Sequence, residues 1–81
     1  MTRAGEPQPA LGAAVKQLRE QRGTTQEALA YEAGITTGTL SQLERGISNP
    51  SWGTLKAVAG ALGVSMVDLA KLAKKIEHDS I

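Results

Sequence analysis

TTQEALAYEAGITTGTLSQLER, residues 24 to 45, is the stretch that decides the fold. It reads as two short helices joined by a tight connection. Thr24-x-x-Glu27 is a capping box, in which the threonine hydroxyl and the glutamate each satisfy an orphan backbone N–H at a helix start. Ala28, Leu29, Ala30 and Ala33 give that helix a face of small apolar side chains. Gly34 ends it, because a sharp turn there takes positive φ, which glycine adopts without strain. Ile35 follows as a buried residue of the connection, and Thr36 or Thr37 caps the next helix. That helix carries Leu40 and Leu43 inward and stops at Gly46. Ala30 is small where the following helix crosses closely above it. Ile35 and Leu40 plug the angle between the two.

Working outward, Leu11, Val15 and Leu18 recur at helical spacing from about Ala10, and Gly23 closes this first helix with a left-handed cap. Beyond the central stretch, Gly46-Ile47-Ser48-Asn49-Pro50 is a loop. Ser51 caps a fourth helix holding Leu55, Val58, Ala59 and Leu62, which Gly63 ends. Val64 packs, Ser65 and Asp68 form a second capping box, and a fifth helix runs through Leu69, Leu72 and Ile76. No stretch alternates at period two, so no strand is expected, and the connections are short, as in compact helical domains. The expected architecture is therefore all-α: a compact five-helix domain over residues 10–77 with a helix-turn-helix at helices 2 and 3. Residues 1–9, with Gly5, Pro7 and Pro9, read as a flexible arm, and residues 78–81 as a tail whose last few residues fray.

The chain has 81 residues, enough for one domain and too few for a separate catalytic unit. It has no cysteine, which excludes disulfides and thiolate metal sites. Its one histidine, His78, sits in the polar tail. No nucleophile–base set, metal-ligand spacing or phosphate-cradling glycine loop occurs, so neither an enzyme, a metal, a cofactor nor a small-molecule ligand is expected. There is no membrane span and no signal-peptide pattern, which fits a cytoplasmic protein. The net charge of +1 does not by itself announce a nucleic-acid binder; placement has to carry that inference.

The chain resembles the phage repressor and Cro type of helix-turn-helix transcriptional regulator, the xenobiotic-response-element-type family. The matching pieces are Leu18-Arg19 before Gly23, Thr25-Gln26-Glu27-x-Leu29-Ala30, Gly34-Ile35, and Leu40 through Gly46. The match continues through Asn49-Pro50-Ser51, Thr54-Leu55 and Ala61 through Ser65. The resemblance implies that the third helix lies in the major groove of double-stranded DNA. Its outward positions, Thr36, Thr37, Gly38, Ser41, Gln42 and Arg45, would meet base edges, and Gln42 can pair bidentately with adenine. Gln26, at the start of the second helix, matches a phosphate-contacting position. Thr25 and Arg22 beside it, and Ser48, Asn49 and Ser51 in the following loop, would add phosphate contacts. Gly38 departs from relatives that carry a base-reading side chain there. It implies either closer approach of the backbone to the groove or specificity shifted to DNA shape.

Arg19 and Glu44 match a family pair that bridges the first and third helices, an ion pair that fixes the angle of the recognition helix. The resemblance further implies a homodimer on a palindromic operator, because one recognition helix reads too few bases. Trp52 packs against the loop of residues 46–50 or contacts a second subunit. Met66 and Val67 cannot both face the core. Lys71, Lys74 and Lys75 form a solvated run near the end of the last helix. The competing functional class is a protein-interaction module, such as an antitoxin, built on the same domain.

Overall fold

The structure, a computed structural model, describes residues 8–79. Five helices follow one another: α1 (Pro9–Gln21), α2 (Gln26–Ala33), α3 (Thr37–Glu44), α4 (Trp52–Leu62) and α5 (Met66–Asp79). No strand occurs among the described residues, and the fold class is the all-α one expected. The proposed arm lies outside the described residues up to residue 7. Pro9 is not part of it: it opens α1, where its missing N–H is no loss and its fixed φ suits the first turn. At the other end α5 continues through Asp79, past the expected boundary at residue 77.

Each helix after α1 starts on a hydroxyl. Thr25 Oγ1 accepts from Ala28 N–H at 3.1 Å, Thr36 Oγ1 from Thr39 N–H at 3.0 Å, Ser51 Oγ from Thr54 N–H at 3.1 Å and Ser65 Oγ from Asp68 N–H at 3.0 Å. The cap of α2 is thus Thr25, and the capping box expected at Thr24 and Glu27 does not form. The carbonyl of Thr24 instead accepts from Arg19 Nη1 at 2.8 Å, which holds Thr24 in the connection and moves the cap one residue along. Glu27 remains in the first turn of α2, where a negative charge complements the helix dipole. Gly34 closes α2 at φ +72°. The N–H of Ile35 then reaches back to the Ala30 carbonyl and the N–H of Gly34 to the Tyr31 carbonyl, which satisfies two of the carbonyls at the end of the helix.

The core is one cluster of Ala14, Val15, Leu29, Ala30, Leu40, Leu43, Val58, Ala59, Leu62 and Leu69. These residues come from all five helices. Leu11, Leu18, Ile35, Val64, Met66, Leu72 and Ile76 pack against the cluster half-buried. Ala28, expected on the inner face of α2, is exposed, because Leu29, Ala30 and Ala33 already fill that stripe.

One close approach was not anticipated. A Cβ placed on Gly12 of α1 would overlap the carbonyl oxygen of Leu43, with the Glu44 carbonyl at 2.9 Å and Gly46 N at 3.0 Å. Gly46 is held equally tightly: at φ +73° a Cβ there would lie 2.5 Å from Pro9 Cα. The start of α1 therefore sits backbone-to-backbone on the last turn of α3. Two glycines make that contact sterically possible.

Candidate nucleic-acid interface

α3 has two faces of different character. Leu40, Leu43 and Glu44 are buried. Thr36, Thr37, Gly38, Gln42 and Arg45 are exposed, and Ser41 is half-buried at the edge. The side chains of Thr37, Ser41, Gln42 and Arg45 make no hydrogen bond within the described residues. Thr36 differs, because its hydroxyl accepts from Thr39 N–H and donates to Thr39 Oγ1 at 2.8 Å. Gly38 faces open space: a Cβ there would meet only Thr36 Oγ1, at 3.9 Å. Nothing in the fold requires glycine at position 38.

A buried polar junction holds this helix in place. Glu44 closes α3 with its side chain only 2% exposed. Arg19 of α1 donates to it through Nε at 2.7 Å and Nη2 at 3.0 Å, a bidentate arrangement, while Nη1 reaches the Thr24 carbonyl. Gln26 of α2 donates through Nε2 to the same carboxylate at 2.9 Å. One carboxylate thereby ties together α1, α2 and α3. The hydrogen bond and charge of Glu44 raise the Arg19 pKa above its ordinary value against the opposing effect of burial. A raised pKa on a cation contributes stability that is lost only as pH rises through it, so the pair adds no pH dependence from the Arg19 side in the neutral range.

The remaining sequence-derived positions are unequal. The Gln26 amide is half-buried and committed on one side to Glu44, a partnership not foreseen from sequence. Its position at the first turn of α2 leaves backbone N–H groups of that turn without a helical acceptor. Thr25 caps α2 through its oxygen lone pairs, which leaves its hydroxyl proton free to donate. Ser51 accepts from Thr54 N–H and donates to Thr54 Oγ1 at 3.0 Å, so its proton is already used. Asn49 is exposed and Ser48 half-buried in the loop after α3. Arg22 donates through Nη1 to the Ala61 carbonyl near the end of α4, which draws it toward that helix.

Residues 15–69 match the helix-turn-helix family model. Among curated proteins, the chain is 44% identical over 59 residues to an uncharacterized HTH-type transcriptional regulator, y4dJ, of Sinorhizobium fredii, covering 73% of this chain and 77% of that one. It is 43% identical over 56 residues to the immunity repressor protein of Bacillus phage phi105, covering 69% of this chain but only 39% of the repressor. Among solved structures, the restriction–modification controller protein C.Esp1396I superposes with a TM-score of 0.81 at 27% identity, over 88% of this chain and 92% of that one.

The chain belongs to the helix-turn-helix family. It is a sequence-specific DNA-binding protein that regulates transcription. No helix among the described residues is long and apolar enough to cross a membrane.

Proposed function

We propose that the exposed row of α3 forms the base-reading surface and that two copies of the chain read a palindromic operator in the cytoplasm, regulating by occupancy of the site. The observation that carries this reading is the contrast across α3. Its inner row is fixed by the core and by the Glu44 junction, while the side chains of Thr37, Ser41, Gln42 and Arg45 are left unpaired on the outside. Gln42 reads adenine, Thr37 and Ser41 supply hydroxyls to base edges, and Arg45 adds charge at the end of the helix. Thr36 offers its lone pairs only. Thr25, Gln26, Ser48 and Asn49 take phosphates, with Arg22 and Ser51 as auxiliary contacts that must first give up their present partners.

Selection of bound duplexes from a random pool, followed by titration of variants, tests the reading. Gln42→Ala is expected to relax preference at one base position in each half-site and to cost about 1–3 kcal/mol on the selected duplex, with non-specific binding retained. Uniform weakening on every sequence would remove Gln42 from the base-reading set. Affinity is expected to fall steeply with salt, since phosphate contacts release counterions.

Gly38 makes a separate test. Because the site is open, Gly38→Ala is expected to stabilise the domain by about 0.5 kcal/mol, raising Tm by about 2–4 °C. The same methyl group is expected to weaken binding to the selected duplex, since it projects where the backbone approaches the groove. A variant that melts higher and binds as tightly as the parent would place position 38 outside the contact surface.

A further inference from the structure

Gln26 opens α2, and its side chain makes one hydrogen bond among the described residues: Nε2 donates to Glu44 Oε1 at 2.9 Å. The second N–H of that nitrogen and the lone pairs of Oε1 have no partner there. The backbone N–H groups of Gln26 and Glu27 begin the same turn without a helical acceptor, because the hydroxyl and carbonyl of Thr25 serve Ala28 and Leu29. We propose that Glu44 is a positioning residue for DNA binding: without touching the duplex, its carboxylate anchors the Gln26 amide nitrogen and aims the second N–H as a donor to a backbone phosphate. This inference rests on the reading of Gln26 as a phosphate contact and adds the group that orients it.

The dependence between the two side chains runs one way. Arg19 occupies both oxygens of Glu44, with Nε on Oε2 at 2.7 Å and Nη2 on Oε1 at 3.0 Å, so the buried carboxylate is satisfied without Gln26. Gln26 has no other anchor among the described residues. An ionised carboxylate only accepts hydrogen bonds, so it takes the amide nitrogen and turns Oε1 away; the opposite orientation would set oxygen against oxygen. With one N–H held inward, the second points at a fixed angle to it. A free glutamine has much rotamer freedom to lose on binding, and a bond already made in the free chain removes part of that cost. The charge of Arg19 cancels that of Glu44, so a carboxylate behind the site does not repel a phosphate. Glu44 itself has no access to the duplex, since its side chain is only 2% exposed.

Gln26→Ala, Glu44→Gln and the double variant are titrated onto the selected duplex beside the parent, at a temperature where circular dichroism shows every chain folded. Glu44→Gln keeps the size of the side chain but can offer Gln26 either an oxygen or an N–H, which frees the Gln26 amide to turn. Gln26→Ala is expected to weaken binding about fivefold or more and Glu44→Gln about threefold or more, while the double variant falls no more than about 1.5-fold below Gln26→Ala. A role in the fold alone would carry the whole Glu44→Gln loss into the double variant; that outcome overturns the proposal and leaves Gln26 as a phosphate contact. A Gln26→Ala chain that binds as tightly as the parent overturns the phosphate reading itself. A second measurement needs no change at position 44 and stands even where Glu44→Gln does not fold. In the isotope-labelled parent, the two side-chain amide protons of Gln26 are expected to be well separated and slow to exchange in the free chain, with the outer one moving when duplex is added. Amide signals like those of a solvated glutamine would show a freely turning side chain and overturn the proposal.

Discussion

Gly12→Ala is expected to cost at least about 3 kcal/mol and to lower Tm by about 12 °C or more, or to abolish cooperative melting. Such a substitution inside an exposed helix normally stabilises, because alanine is the better helix former. Here the added carbon overlaps a carbonyl oxygen of α3 and presses on two further backbone atoms, none of which belongs to a flexible side chain that could swing away. Relief requires α1 to lift off α3, which opens the core around Ala14, Val15 and Leu43. Gly60→Ala in α4 is the control, since a Cβ there meets nothing within 4 Å and should stabilise by about 0.5–1 kcal/mol. Thermal melts of the two variants should move in opposite directions. A Gly12→Ala chain melting within about 4 °C of the parent would mean that the helices separate easily and that the close approach contributes little.

Glu44→Ala is the second large effect, with an expected cost of about 3–5 kcal/mol. The deletion leaves the Arg19 guanidinium, its side chain 12% exposed, facing an emptied polar site, and it strands the Gln26 amide. Exchange of the pair, Arg19→Glu with Glu44→Arg, is expected to recover much of the loss. It should not recover all of it, because Thr24 loses a donor to its carbonyl and Gln26 loses an acceptor. Chemical denaturation of the two single variants and the exchanged double variant measures the coupling. Simple additivity of the single costs would show that the two side chains act independently despite their 2.7 Å contact.

The helix pattern was readable because each helix carries its own start and stop. Ser51 and Ser65 cap as read, Thr36 takes the cap that the sequence left open between Thr36 and Thr37, and Gly34 and Gly63 turn the chain at positive φ. Thr25 was missed as the cap of α2 because Thr24 stands next to it with a glutamate three residues on. The bond from Arg19 to the Thr24 carbonyl, five residues along, ties Thr24 to the end of α1 and favours Thr25 as the cap. Pro9 was assigned to the arm although a proline is well suited to the first position of a helix. Gly12 was silent for a different reason: a glycine within a helical run reads as a small local penalty. What it must avoid, the end of α3, lies some thirty residues away. Separation along the chain also hid the bond between Gln26 and Glu44, 18 residues apart, and the pull of the Ala61 carbonyl on Arg22, 39 residues away, since a residue's chemistry lists what it can bind and not which partner reaches it first. That Met66 and Val67 cannot both face the core follows from helical geometry; which of the two turns inward comes from the structure, where Met66 packs on the core and Val67 is exposed.

The two-faced character of α3 has a consequence for how such a chain can change. The side chains of Thr37, Ser41, Gln42 and Arg45 make no hydrogen bond with the scaffold among the described residues, Gly38 faces open space, and no buried hydrophobic residue stands among the five. If these positions read the bases as proposed, they can be rewritten together, as a graft, while Leu40, Leu43 and Glu44 keep the mount rigid. Divergence to a new operator then requires no compensating change in the core, and one stable body can carry many different addresses.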